Sequence, residues 1–261
     1  MTTKIKFWQW PNLLAFDACV AALVWLQVFS TGQSAELSTA AYAVLALSVW
    51  LTYMADRLFD VARRGEARLL SARHQFAKRN MRGLWLVWGI VLLADLRIAT
   101  TGLDPSQLDK GFVLFCLCLA YTGLNHLLSK RFFPKELLVA LIFAGGTQVF
   151  LPEYTEWQCL TGYVLLCLIN CLMIGWKETA VDAMLEVRSL TSVLDRRRVY
   201  PLLAAGTVLA WFSSCPIALL PSMLALGGLQ FCRDRFGEES FRVLCDAALL
   251  IGPLLYLFVR A

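Results

Sequence analysis

The stretch Ser38–Arg64 reads STAAYAVLALSVWLTYMADRLFDVARR. It is apolar for long enough to cross a bilayer as a helix, which takes about 20 residues. It then closes on two acids, Asp56 and Asp60, with Arg57 between them and a basic stretch beyond. A spacing of four puts both carboxylates on one helix face, about 6 Å apart along the axis. An acid at the centre of a membrane helix costs about 2.5–3.5 kcal/mol, less near the interface, so such a pair calls for a compensating cation.

The rest of the chain repeats the apolar theme. Of 261 residues, 59% are hydrophobic and 16% charged, and the mean hydropathy is +0.62. That is too apolar for an ordinary soluble domain, and no nucleic-acid partner is expected. The expected fold is all-α: one polytopic helical bundle over residues 1–261, because helices satisfy their own backbone groups in lipid. Nine spans are read, near 11–31, 37–58, 83–100, 112–129, 136–151, 159–177, 200–213, 215–231 and 243–259. The first is too long for a signal peptide core and a second follows closely. The seventh and eighth are short and are read as a hairpin turning at Ser213, Ser214, Cys215 and Pro216.

The basic residues orient this arrangement, since cytoplasmic loops carry the Lys and Arg. With the N-terminus inside, 21 of the 24 Lys and Arg fall in inside segments, and only Arg97, Lys110 and Arg260 fall outside. The expectation is an integral membrane protein of the bacterial inner membrane, N-terminus cytoplasmic and C-terminus outside, in contact with the lipid bilayer.

A second station follows the sixth span, in NCLMIGWKETAVDAMLEVRSL, Asn170–Leu190. Glu178 and Asp182 are four apart, and Glu186 continues the face. Basic residues follow each station: Arg63, Arg64, Arg68, Arg73, His74, Lys78 and Arg79 after the first, Arg188 and Arg196–Arg198 after the second. Two facing acidic pairs suit Mg²⁺, which is commonly bound by one or two carboxylates together with substrate phosphates. Asp56, Asp60, Glu178 and Asp182 are the candidate metal ligands and catalytic residues. Arg57, Arg64, Arg73, Lys78, Lys130, Lys135 and Arg188 are candidates to hold diphosphate oxygens by charge-assisted hydrogen bonds. With apolar spans to house a long tail, the implied substrate is a lipid diphosphate. The plainer reading is that such charges mark the membrane boundary.

On DRLFD and ETAVD, and on span order, the chain resembles the UbiA-type intramembrane prenyltransferase superfamily. That resemblance implies nine transmembrane helices, with acidic motifs at the cytoplasmic ends of the second and sixth. It implies that Asp56, Asp60, Glu178 and Asp182 bind Mg²⁺ and the diphosphate of an isoprenyl diphosphate, whose allylic carbon is attacked by an acceptor that the sequence does not specify. It would also place diphosphate contacts at Lys130, Arg131 and Lys135, which equally serve as positive-inside anchors. The chain departs from the family pattern at Thr52 and Tyr53, where Asn and Asp are common, at Gly175, where an acid is common, and at Glu178, which replaces Asp. Two other functions are weighed: a catalytically silent relative serving as a subunit of a membrane assembly, and an ion-coupled transporter.

Outside the stations, Asp17 lies in the first span on the cytoplasmic side and is a candidate base or acceptor-orienting residue, or an acid bonded to a neighbouring helix. Asp246 is read as lying near the boundary of the last span. Asn170 is read as bonding a neighbouring helix, and Gly145–Gln148 as a close-packing break. His74 is read as solvated or phosphate-facing. The nine cysteines are read as small apolar packing residues, since no zinc-type pairing occurs.

Overall fold

The computed structural model describes residues 6–62, 71–128, 132–178 and 188–260. Among them there are helices and connecting turns and no strand. Twelve α-helices run in order: α1 (Trp10–Leu13), α2 (Phe16–Gly32), α3 (Thr39–Ala62), α4 (Ala72–Arg79), α5 (Met81–Gly102), α6 (Pro105–Leu128), α7 (Lys135–Gln148), α8 (Trp157–Lys177), α9 (Leu190–Val193), α10 (Val199–Phe212), α11 (Pro216–Phe231) and α12 (Glu238–Arg260). Every apolar run of the sequence is helical. The hairpin reading also holds: α10 ends at Phe212, Pro216 opens α11, and Ser213–Cys215 make the turn.

Four helices are long and apolar enough to cross a bilayer: Met81–Gly102, Pro105–Asn125, Trp157–Lys177 and Glu238–Arg260. A bent pair, Phe7–Leu13 with Phe16–Gly32, makes a fifth if it counts as one span. The remaining apolar helices fall short for visible reasons. α7 and α10 have 14 residues each and α11 has 16, while α3 carries Asp56, Arg57 and Asp60 in its last turns. Apolar side chains such as Leu86, Leu93, Phe112 and Leu127 stand exposed on α5 and α6, as contact with lipid requires.

The bundle core forms where α8 packs against α7, α10, α11 and α12, and α12 against α2 and α11. Trp25 of α2 stacks on Tyr163 of α8 at 4.3 Å between ring centroids and donates to the Leu249 carbonyl of α12 at 3.1 Å. At Gly252 the backbones nearly touch: a Cβ there would meet the Ala218 carbonyl oxygen at 2.0 Å. Small residues at membrane-helix crossings allow this approach.

Two expectations are corrected. The first span is not one helix. It bends by 71° at Leu14–Ala15, where Ala15 takes φ 58° while fully buried. The break leaves helix-end carbonyls without intrahelical partners. Side chains of α3 take them: Arg57 Nη1 donates to Leu13 O at 2.8 Å and Trp50 Nε1 to Leu14 O at 2.9 Å. Second, not all cysteines are packing residues. Cys159 at the start of α8 and Cys215 at the start of α11 form a disulfide with Cα atoms 6.0 Å apart. It sits at the end of α8 remote from Glu178, about 28 Å away by helix rise.

Candidate functional site

The broken first span, the end of α3, the start of α7, the end of α8 and the first half of α12 enclose one cavity of about 310 Å³. Its walls are mainly apolar, with Leu45, Phe143 and Leu249 among them, and its polar groups converge from helices far apart in the chain. Asp17, Asp56, Asp60, Glu178, Arg57, Arg73 and Lys135 all line it. So the structure gathers most of the residues expected from the sequence. Asp56 is ringed by protein, yet its side chain faces the open interior and is accessible there.

Four expected residues, Arg64, Lys130, Arg131 and Asp182, lie outside the described residues, as does Glu186. Two others are placed elsewhere. Lys78 is exposed, does not line the cavity, and donates to the Val61 carbonyl at 3.2 Å. Arg188 is exposed and does not line the cavity, and its carbonyl accepts from Phe133 N at 2.9 Å.

The mouth of the cavity is a charged ring. Glu178, 5% exposed at the C-cap of α8, pairs with Arg73 of α4 at 2.9 Å through one oxygen and with Arg242 of α12 through the other. Arg242, buried at 2% exposure, also holds Glu239 at 3.0 Å, and Glu239 accepts from Ala72 N at the start of α4 at 2.9 Å. The loop helix α4 is thereby tied to the ends of α8 and α12. His74, read from the sequence as solvated or phosphate-facing, is buried and lines the cavity: Nδ1 is hydrogen-bonded to Ser71 Oγ at 2.5 Å, and Nε2 lies 3.6 Å from Asp60 Oδ2. Burial holds its imidazole below its usual pKa range, although Asp60 acts the other way.

Glu136, which the sequence reading did not single out, is a second buried anchor. It accepts from Ser189 Oγ at 2.6 Å, Leu190 N at 3.2 Å and Thr191 Oγ1 at 3.3 Å. This explains Gly175: a Cβ there would meet Thr191 Cγ2 at 2.8 Å, with Glu136 Oε1 at 3.6 Å. The space an acidic side chain would need at 175 is filled by the Glu136 latch.

Deeper in the cavity, Asn12 Nδ2 donates to Asp17 Oδ2 at 2.6 Å and to Asp246 Oδ2 at 3.2 Å, and Asn170 Nδ2 donates to Asp246 Oδ1 at 3.0 Å. Asn170 does bond a neighbouring helix, as read. Asp246 is not at a boundary: it lies eight residues into α12, in the cavity wall. Asn12, Arg242, Glu136 and Asp246 carried little sequence signal. The one cue was that Arg242 and Asp246 are four apart, as the station acids are.

The fit to Mg²⁺ is divided between the stations. Asp56 and Asp60 share a face, line the cavity and supply two carboxylates, the usual protein share for this ion. Glu178 does not fit, because both its oxygens are occupied by guanidinium groups. Among the described residues no three His, Cys, Asp or Glu side chains come close enough together to hold a metal unaided. Among the described residues, six carboxylates and four Arg or Lys line the cavity.

No family model matches the chain, and no characterised protein or solved structure does.

Proposed function

We propose that the chain is an integral membrane prenyltransferase that moves an isoprenyl group from an isoprenyl diphosphate to an acceptor, with Mg²⁺ bound at Asp56 and Asp60. The observation that carries this reading is the single cavity. It collects the acid pair of α3 with Arg57, Arg73, Lys135 and Arg242, over walls apolar enough to take a prenyl tail. When bound, the ion would help neutralise the diphosphate as it leaves. Arg73, Lys135 and Arg242 would orient the same oxygens, and burial would keep water from the reacting carbon.

In this reading all nine apolar runs belong to the membrane domain, and the acid-bearing end faces the cytoplasm. The charge asymmetry supports that orientation. The Cys159–Cys215 disulfide supports it too, because it lies at the far end, where an oxidising compartment would be.

The test is calorimetric titration of an isoprenyl thiodiphosphate into the purified protein with and without Mg²⁺. Binding that needs Mg²⁺ and is lost in Asp60→Asn is the expected result. Binding indifferent to both overturns the reading.

The Glu178 clamp favours a second reading: a catalytically silent relative whose second acidic station has become a structural tie within a membrane assembly. Donor binding without turnover would select it.

A further inference from the structure

Beneath the charged mouth is a polar cluster for which the diphosphate site has no use. Asp17 from α2 and Asp246 from α12 share a single amide group, Asn12 Nδ2, at 2.6 and 3.2 Å. Asn170 holds the other oxygen of Asp246 at 3.0 Å. Asn170 is only 6% exposed and lines the cavity, yet its Oδ1 has no partner. Buried amide oxygens are nearly always hydrogen-bonded, so an orphan of this kind calls for a donor.

Asp17 Oδ1 accepts from Ala18 N at 2.9 Å, so the Asn170 oxygen is the acceptor of this cluster left without a hydrogen. Two carboxylates sharing one amide repel each other, and the repulsion is relieved when a donor hydrogen comes between them. A metal fits less well, since no third His, Cys, Asp or Glu side chain of the described residues joins the pair. The cluster also lies at a defined depth. Asn170 is eight residues before Glu178, about 12 Å further in, and Asp246 is one turn beyond Arg242. A ligand seated there meets a donor whose diphosphate is held at the mouth.

We propose that Asp17 and Asp246 form a proton-accepting pair that binds the hydroxyl of the acceptor, with the free Asn170 oxygen receiving a second hydrogen bond from it. The proposal rests on the transferase reading. The acceptor O–H bond breaks and its proton passes to the Asp17–Asp246 pair. The acceptor oxygen forms a bond to the allylic carbon, and the bond from that carbon to the diphosphate oxygen breaks, its electron pair leaving with diphosphate. Asp17 and Asp246 are catalytic residues in this scheme, and Asn12 and Asn170 position them.

The experiment uses the full chain in lipid nanodiscs and two probes, 4-hexylphenol and 4-hexylanisole, which differ in the hydroxyl hydrogen. Without donor, the phenol should bind and the anisole should not. Asp17→Asn, Asp246→Asn and Asn170→Leu should each weaken phenol binding about tenfold or more while leaving thiodiphosphate affinity within about twofold. With geranyl diphosphate present, transfer to the phenol should slow by about 100-fold or more in Asp246→Asn, the scale of a lost general base. Should Asp246→Asn fail to fold, Asp17→Asn and Asn170→Leu carry the same comparison. Equal binding of the two probes, no phenol binding, or binding indifferent to these substitutions overturns the proposal. Phenol binding that follows the pair in a protein that takes no thiodiphosphate retains the hydroxyl site and overturns the transfer step, so the two readings fail separately.

Discussion

Arg73 and Glu178, 105 residues apart in the chain, meet at 2.9 Å and join the loop after α3 to the end of α8. With Arg242 on the other oxygen, Glu178 carries the only described acid of the second station into a buried ion triad. The position expected to face a metal is instead a structural junction between three parts of the bundle.

Removing the acid from that triad leaves buried Arg242 with Glu239 alone as its ion-pair partner. Breaking a buried pair from one side costs about 3–5 kcal/mol. Glu178→Gln should therefore lower the thermal unfolding midpoint of the detergent-solubilised protein, with or without Mg²⁺. A rise in metal-free stability would show that relief of acid repulsion dominates and would return Glu178 to the metal.

The lysines expected at the diphosphate divide by position. Lys135 lines the cavity, and Lys78 is exposed outside it. Lys135→Ala should weaken thiodiphosphate binding about tenfold, the scale of one charge-assisted contact. Lys78→Ala should change it by less than about twofold. Titration of both variants under one buffer tests this, and the reverse order would mean that the donor sits over α4 rather than inside.

The bent first span depends on α3. Arg57→Leu would leave the Leu13 carbonyl buried and unpaired, at a cost of about 1–3 kcal/mol. Because Asp17 follows the break by two residues, the variant should also weaken phenol binding. Loss of stability with unchanged phenol affinity would show that the bend is held by Trp50 and packing alone.

The proposed orientation rests on two independent features. Single cysteines introduced in α4 and near Arg188 should react with a membrane-impermeant maleimide only after cells are opened. Cys159 and Cys215, both buried, should take up maleimide only when the protein is reduced and unfolded. Labelling of α4 in intact cells would overturn both the shared cytoplasmic site and the reading of the basic loops.

Helix geometry and local charge account for the features legible along the chain. Apolar runs became helices because membrane-length hydrophobicity is a property of neighbours in the chain. The hairpin at Ser213–Cys215 was legible from its turn residues. Asp56 and Asp60 were legible as a pair because four residues make about one turn. The gathering of Asp17, Lys135 and Glu178 around that pair agrees with the expectation, read from the loop charges, that these helix ends lie on one side.

Which of these ends meets which partner is set by long-range packing. Asn12 reaches Asp246 across 234 residues, Arg242 reaches Glu178 across 64, and Cys159 reaches Cys215 across 56. No local spacing encodes such meetings. The bend at Ala15 was equally hidden, because it is stabilised by Arg57 and Trp50 from another helix rather than by a proline or glycine at the break. The Glu136 latch was hidden for the same reason: a lone acid at the start of a helix looks like any first-turn acid until α9 packs over Gly175 and hands it three donors. Periodicity and local charge are set along the chain, whereas the partner of a buried polar group is set by which helices cross, and that is fixed by packing the whole bundle at once.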